Sequence, residues 1–293
     1  MKRAIILPKY WYEEASLFIA RLNALHPRYF LVPVAEIGAE TNSYLPLVDQ
    51  LMGKNRATSA MFILPRSLAS GDKIDLWPAL VHNNSTGHWI SSVFFADNWS
   101  EVEDALQVLL SKKSTKVEAN LTCQYQPVYT EMLAQWEQEG GKAYHPGDYF
   151  KDEILSAISQ MKGNWLYWGH GEGDRLRGYG HLDIVDLLSN KYVSPLNATL
   201  WFTCSTLDKD YAENIALTWY QSGATKCLLA SPNKVNTEAN LVLSQRWLEI
   251  SKKKQHCTIA SLILEISQST SEQTGRALWQ YYLLGIPWVS GSM

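Results

Sequence analysis

The chain has 293 residues, of which 46% are hydrophobic and 12% aromatic, and its formal net charge at pH 7 is −3. So large a hydrophobic fraction excludes general disorder. The near-neutral charge, without an extended basic cluster, leaves no electrostatic surface for nucleic acid, which we therefore do not expect as a partner. The length allows one large α/β domain or two of ordinary size.

The four cysteines are Cys123, Cys204, Cys227 and Cys257. They form no C-x-x-C pair, and no histidine lies at zinc-ligand spacing from them, so we expect neither a metal site nor a cofactor. The first apolar run, Ala4–Leu7, is too short for a signal peptide. There is also no apolar run of the roughly 18 residues that a membrane helix needs. The expectation is a cytoplasmic protein with reduced thiols and no membrane contact.

The first block of the chain alternates between strand and helix patterns. Strands are predicted at Ala4–Leu7, Phe30–Val34, Ala60–Leu64 and Ile90–Ala96, and helices at Tyr12–Leu25, Tyr44–Met52 and from Asn98 or Ser100, as the cap, to Leu110. His82 and His88 flank a turn-rich stretch, where histidines are usually at the surface. This alternation predicts a mostly parallel sheet covered by helices.

A short polar stretch, Ser111–Thr115, separates this block from a second one with the same rhythm. We expect an N-terminal, non-catalytic α/β subdomain at 1–112 and a catalytic subdomain at 113–293, packed closely or sharing one sheet. In the second block, strands are predicted at Lys116–Cys123, Asn164–Trp168, Ala198–Thr203 and Thr225–Ala230, and helices at Val128–Glu139, Lys151–Met161, Ile184–Ser189, Tyr211–Gln221, Thr237–Ile250 and Thr258–Gln268.

Two apolar runs of the second block each stop on a chemically reactive residue. Asn164–Trp168 leads to His170, and Leu200-Trp201-Phe202 leads to Cys204. Such runs are typical of buried parallel strands. Ligands bind at the carboxyl ends of strands in α/β sheets, so these side chains are expected side by side. A cysteine nucleophile and its base require that arrangement.

The surroundings of both residues favour catalysis over a buried core thiol and a histidine in a turn, which are the ordinary alternatives. A helix that follows Cys204 favours the thiolate through its N-terminal N–H groups. Glycines on both sides of His170 let the backbone approach a substrate closely. The N–H groups of Gly171 and Cys204 are therefore candidates for an oxyanion hole.

Several segments together carry a family resemblance: Trp168–Gly171, Ile184–Asn190, Phe202–Thr206, Tyr211–Glu213 and Gly223–Ser231. This pattern resembles the caspase-like cysteine peptidases of clan CD, above all the gingipain family and the CHAT domains that also occur in separase-like proteases. The closing Tyr282–Pro287 is similar to the end of those domains, with Ile286 in place of Asp. The resemblance covers about Lys116 to Pro287.

The resemblance implies a caspase-like (caspase-hemoglobinase) α/β fold, a three-layer sandwich with helices on both faces of the sheet. It also implies a cysteine endopeptidase that acts on protein or peptide substrates without a cofactor. Cys204 would be the nucleophile, His170 the general acid/base, and the amides of Gly171 and Cys204 the oxyanion donors. Gingipains are secreted with a propeptide, whereas no signal is visible in this sequence.

No sequence motif identifies the acid that would orient His170. Glu172 and Asp174 are candidates by proximity, although acids in a Gly-rich loop usually face water. His181 is a rival base, ranked below His170 because no predicted strand precedes it.

Candidates for a substrate pocket come from loops at the strand ends. They are Gln124, Gln126, Asp208, Asp210, Ser231 and Asn233. An acid at the pocket floor would select a basic residue by a charge-assisted pair. Asp208 and Asp210 would equally cap the helix predicted from Tyr211.

The alternative to an enzyme is a catalytically silent caspase-like or CHAT module that acts through protein–protein contacts. The chain has 12 Trp residues, a density that usually means core and rim packing. A Trp-rich binding surface is the less common interpretation, and it belongs to this alternative together with a regulatory protein partner. A different cysteine hydrolase or acyltransferase that uses the same strand ends is a third possibility.

Overall fold

The computed structural model describes residues 1–35, 41–110, 117–189, 192–254, 257–269 and 277–291. Its strands are β1 (Lys2–Pro8), β2 (Tyr29–Val34), β3 (Ala57–Leu64), β4 (Val81–Asn84), β5 (Gly87–Phe95), β6 (Ala119–Cys123), β7 (Lys142–Tyr144), β8 (Asn164–Trp168), β9 (Gly171–Glu172), β10 (Arg175–Leu176), β11 (Leu182–Asp183), β12 (Ala198–Phe202), β13 (Cys227–Ala230) and β14 (Tyr282–Gly285). Its α-helices are α1 (Tyr12–Leu25), α2 (Thr41–Asn55), α3 (Trp99–Leu106), α4 (Pro127–Gln138), α5 (Lys151–Gln160), α6 (Ile184–Ser189), α7 (Ile215–Gln221), α8 (Thr237–Lys253) and α9 (Ile259–Ser269).

Within these ranges, 11 strands form one mostly parallel sheet in the order β2-β1-β3-β5-β14-β13-β12-β8-β6-β7, with β4 paired to β5. Strand β14 joins two parallel groups, since it pairs antiparallel with β13 and parallel with β5. The strands of the first block therefore run opposite to those of the second. One sheet thus crosses both blocks. The proposed boundary at Ser111–Thr115 lies outside the described residues, and the division at 112/113 stays a prediction.

Helices cover both faces of this sheet, which makes the sandwich three layers thick, as predicted. Helices α1, α3, α4, α8 and α9 pack on one face, and α2, α5, α6 and α7 on the other. Successive strand residues serve opposite faces: Trp168 and Phe202 belong to the first core, Tyr167 and Trp201 to the second. Strands buried on both faces explain why the sequence runs are apolar without alternation.

The tryptophans build these cores instead of a surface. Within the described ranges, eleven of the twelve Trp side chains are buried, and only Trp279, at 65% exposure, faces water. Core packing, the ordinary expectation for aromatics at this density, is therefore confirmed, and the alternative of a Trp-rich surface is wrong, because these flat side chains fill the space between the sheet and its helices.

Most predicted elements are confirmed to within a few residues, and the exceptions have local causes. Helix α7 begins at Ile215, not Tyr211, because Asn214 caps it by accepting the N–H of Leu217 at 2.9 Å. Asn98, not Ser100, caps α3. The sequence predicts no strand at β4, β7, β9–β11 or β14, each of which has at most four residues.

Candidate active site

The two reactive residues lie at the carboxyl ends of adjacent parallel strands. Strand β12 pairs with β8 so that Phe202 lies opposite Trp168. The backbone therefore leaves the sheet at the same level after both strands, through Gly169 to His170 after β8 and through Thr203 to Cys204 after β12. The structure therefore brings together the loops that carry the predicted base and nucleophile.

Gly171 fixes how closely these loops approach. A Cβ at this position would lie 2.6 Å from the carbonyl oxygen of Cys204 and 2.7 Å from Oγ1 of Thr203. Real Cβ contacts are not that short, so only glycine fits this backbone path. The glycine that follows the histidine is thus required by the nucleophile loop beside it.

The small sheet β9-β10-β11 continues directly from His170 and determines where the Gly171 amide points. The N–H of Arg177 donates to the carbonyl of His170 at 3.0 Å, so these two residues form a hydrogen-bonded pair. Pairs alternate along an antiparallel ladder. Gly171, opposite Leu176, is then in a non-hydrogen-bonded pair, and its N–H is directed away from β10.

The backbone and ring of His170 are held by different residues. Its N–H donates to Oε1 of Gln124 at 2.9 Å, which places this pocket candidate against the site. The Tyr129 ring meets the imidazole edge-on, with centroids 5.9 Å apart and planes at 87°. No hydrogen bond reaches a His170 ring nitrogen from the described residues.

Cys204 is partly exposed, and the segment between β13 and α8 runs along its loop. Its Sγ donates to the carbonyl of Val235 and accepts the N–H of the same residue, both at 3.2 Å. The N–H of Ser205, a residue with φ of 46°, donates to the carbonyl of Asn233 at 3.0 Å. The nucleophile loop is therefore a tight turn stabilised by residues more than 25 positions further along the chain.

Two buried hydroxyl groups flank the thiol in sequence. Thr203 and Thr206 are fully buried, and their Oγ1 atoms have no hydrogen-bond partner among the described residues. The hydroxyl of Tyr281, which is fully buried, donates to Oδ1 of Asn240 at 2.6 Å. Tyr281 escaped sequence reasoning, since nothing in its local pattern marks it.

The candidate orienting acids are engaged elsewhere. Glu172 forms ion pairs with Arg175 and Arg177, and Asp174 pairs with Arg175. The hydrogen bond from Arg175 lowers the pKa of the Asp174 carboxyl below its usual range. Both carboxylates belong to the β9–β10 hairpin, and neither is hydrogen-bonded to His170.

The remaining pocket candidates have mainly local partners. Asp208 accepts the N–H of Asp210 at 2.9 Å, so it orders a turn and does not cap α7 as sequence reasoning suggested. Ser231 is fully buried and donates to the carbonyl of Gln280 at 2.7 Å. Asn233 is exposed and contributes its carbonyl to the nucleophile loop.

The other candidate histidines lie apart from this site. His181 is exposed in a left-handed turn, with φ of 70°. The prediction that His82 lies at the surface is corrected by the structure, in which its ring stacks on Trp89 with centroids 3.9 Å apart. Burial there lowers the pKa of His82 to about 4.

The other cysteines are buried, and burial raises the pKa of Cys123 to about 12 and that of Cys227 further. This confirms the prediction that both are core thiols. None of the four cysteines, all of which lie in the described part of the chain, is in a disulfide. Within the described residues, no group of three His, Cys, Asp or Glu side chains is placed to hold a metal ion.

Comparisons with known proteins bear on the family and the fold. The model of peptidase family C25 matches residues 72–289. The solved complex of the Porphyromonas gingivalis RgpB pro- and mature domains is 14% identical, with 98% of this chain and 79% of that chain covered and a TM-score of 0.70. The Arg-specific cysteine proteinase gingipain R (RgpB) is 13% identical, with 99% and 78% covered and a TM-score of 0.73.

A third structure, the Saccharomyces cerevisiae separase–securin complex, is 12% identical over 84% of this chain and 17% of that chain, with a TM-score of 0.50. At these identities the structures establish a shared fold. A search of curated protein sequences finds no significant match. Among the described residues, no helix combines the length and apolar character needed to cross a membrane.

Proposed function

The chain belongs to peptidase family C25, the gingipain-type cysteine peptidases of clan CD, and we propose that it cleaves peptide bonds through Cys204 and His170. The observation that carries this proposal is the register of β8 and β12, which ends both strands at one level beside the two residues. Family membership supports the same pair, since the matched range includes both positions.

In the proposed reaction His170 takes the proton of the Cys204 thiol, the thiolate attacks the carbonyl carbon of the substrate, and a C–S bond forms while the carbonyl oxygen gains the negative charge. The C–N bond then breaks as His170 transfers a proton to the leaving amine. A water molecule that gives its proton to His170 hydrolyses the thioester. The amine and the acid leave, and the thiol is restored.

The backbone amides of Gly171 and Cys204 are proposed as the oxyanion donors. The direction of the Gly171 N–H, away from β10, supports this role, and so does its close approach to the Cys204 backbone. Donors that are fixed before the reaction stabilise developing charge without reorganising, and each is worth about 10²–10³ in rate.

The substrate is proposed to be a protein or peptide, and the residue preferred at the cleavage site is left open. Among the pocket candidates only Gln124 contacts His170 directly. We propose a reducing compartment such as the cytoplasm, which suits four cysteines that form no disulfide among the described residues. The likeness to CHAT domains stays a prediction.

Digestion of a proteome-derived peptide library, read by mass spectrometry, tests this proposal. Wild type should give one set of new termini, and Cys204→Ala and His170→Ala should each abolish it while the circular dichroism spectrum is kept. Cys257→Ala, which removes a buried thiol just before α9, serves as the matched control and should cleave normally. Full cleavage by Cys204→Ala would end the proposal.

The second candidate is a regulatory module that has this fold but acts by binding a protein partner. The contact of both Val235 backbone groups with Sγ favours it, because these hydrogen bonds hold the thiol within the chain. A peptide with a thiol-reactive warhead separates the two candidates. Selective labelling of Cys204 favours the enzyme, and a lack of labelling favours the module.

A further inference from the structure

A cavity of about 360 Å³ opens at the edge of the sheet opposite the proposed dyad. Cys204 follows the carboxyl end of β12, whereas Thr225 and Lys226, which line the cavity, precede the amino end of the parallel strand β13. Phe94 and Phe95, at the carboxyl end of β5, line it from the first block of the chain. The cavity therefore lies between the two blocks and is separate from the site described above.

The paths of the chain after β3 and β5 explain why the sheet leaves a cavity here. These strands are parallel neighbours. The segment that follows β3 packs on one face of the sheet through Leu68, and α3, which follows β5, packs on the other through Val102. In open α/β sheets, ligands bind outside the carboxyl ends of strands where neighbouring connections diverge in this way.

Aromatic and aliphatic side chains supply much of the wall: Phe94, Phe95, Ala105, Tyr220 and Ile286. The charged residues Arg66, Asp104 and Lys226 also line it. The Arg66 side chain is engaged, since its Nε and Nη2 donate to Oε2 of Glu101 at 3.1 and 2.8 Å. In contrast, Asp104 and Lys226 form no ion pair with each other or with any other residue of the described ranges. One anion and one cation are thus left without partners on the same apolar cavity.

We propose that this cavity binds a short peptide that has free termini and apolar side chains, such as a dipeptide. The ammonium group of the peptide pairs with Asp104, its carboxylate pairs with Lys226, and its side chains lie against the aromatic wall. Opposite charges that are not paired with each other fit a ligand that carries both charges on an apolar body. The cavity volume is within the range of about 300–1,000 Å³ that is usual for small-ligand sites.

Isothermal titration calorimetry with leucyl-leucine tests this proposal on the whole chain as its Cys204→Ala variant, which removes the proposed nucleophile. We expect saturable binding with a negative change in heat capacity, because apolar surface is buried. Two analogues each lack one charge: N-acetyl-leucyl-leucine has no ammonium group, and leucyl-leucinamide has no carboxylate. Each should bind about tenfold more weakly, the factor that one charge-assisted hydrogen bond provides.

Two substitutions assign each charge of the ligand to its partner. Lys226→Met keeps the length of the side chain and should weaken leucyl-leucine about tenfold, but it should not weaken leucyl-leucinamide further. Asp104→Asn should weaken leucyl-leucine by a similar factor and leave N-acetyl-leucyl-leucine unchanged. Lys54→Met is the matched control, because this exposed lysine of α2 lies outside the cavity.

A third substitution tests the cavity itself. Ala105→Leu adds apolar bulk to the wall from α3, where leucine is a good helix former, and should abolish binding. Ala20→Leu makes the same change on the exposed side of α1 and should leave the affinity unchanged. Unchanged urea midpoints show that the variants remain folded.

Wild-type affinity in both Lys226→Met and Asp104→Asn would refute the inference, as would a lack of binding by the parent chain. Equal affinity for octanoate, an anion with an apolar chain and no ammonium group, would also refute it. No readout depends on peptide cleavage. Failure of this inference therefore leaves the proposed peptidase standing, and an inactive dyad would leave this site standing.

Discussion

Replacing Gly171 by alanine is the sharpest test of the proposed oxyanion hole. The added Cβ would lie 2.6 Å from the carbonyl oxygen of Cys204, 2.6 Å from Cγ2 of Thr206 and 2.7 Å from Oγ1 of Thr203. Real Cβ atoms keep at least 3.0 Å from such neighbours, so the histidine loop and the nucleophile loop must separate by about 0.4 Å or more.

That displacement is large enough to matter for catalysis. Active-site groups work within about 0.5 Å of their productive geometry. A misplacement of about 1 Å costs roughly 10²-fold, and complete loss of an oxyanion donor costs 10²–10³. We therefore expect Gly171→Ala to lower kcat/KM for a cleaved peptide by about 10- to 100-fold, or about 1.4–2.7 kcal/mol of transition-state stabilisation.

Two measurements separate this effect from general damage. Alkylation of Cys204 by iodoacetamide displaces iodide and forms no oxyanion, so its rate should change far less than peptide cleavage. Gly53→Ala is the matched control, because its Cβ would meet nothing closer than 3.7 Å inside α2 and should leave kcat/KM unchanged. If Gly171→Ala cleaves within twofold of wild type, or if alkylation and cleavage fall together, the oxyanion argument is refuted.

Three further outcomes follow from other parts of the molecule. Burial holds the pKa of His82 at about 4, against about 6.5 in the unfolded chain. Between about pH 6.5 and 4 the unfolded state therefore binds a proton that the folded state does not, and the free energy of unfolding should fall by roughly 3 kcal/mol as the pH is lowered through this range. Urea unfolding of His82→Phe should lack most of that drop, whereas exposed His181→Gln should keep it. Brief iodoacetamide treatment of the folded protein should label Cys204 and spare Cys123, whose pKa is raised to about 12, and equal labelling would contradict the burial. Asn214→Ala should lower the free energy of unfolding by about 1 kcal/mol through loss of the α7 cap, and an unchanged urea midpoint would argue against that cap.

Local sequence was enough to predict the strands whose apolar residues by themselves indicate burial on both faces of a sheet. A run such as Leu200-Trp201-Phe202 is buried on both faces and reads as a parallel strand without reference to any neighbour. The reactive residue at its end follows at once. Because strand ends of one direction meet at one edge of a sheet, the pairing of the Cys204 and His170 loops could also be predicted.

Composition predicted less, because it does not say where a side chain goes. The number of tryptophans favoured core packing but left a binding surface open, and only the structure shows that eleven of the twelve are buried within the described ranges. In the same way, His82 lies in a polar stretch yet stacks on Trp89. Burial of these side chains depends on which helix and strand pack over them.

Only the tertiary structure decided how the candidate site is stabilised. Strand β14 lies between β5 and β13, although it is nearly 190 residues from the former in sequence. Val235 is hydrogen-bonded to the Cys204 thiol although 31 positions separate the two residues in sequence, and Gln124 accepts the N–H of His170 over a separation of 46 positions. Nothing local marks such partners, because their selection depends on how the loops close at the sheet edge. The sequence thus determined which residues could react, and packing decided what holds each of them in place.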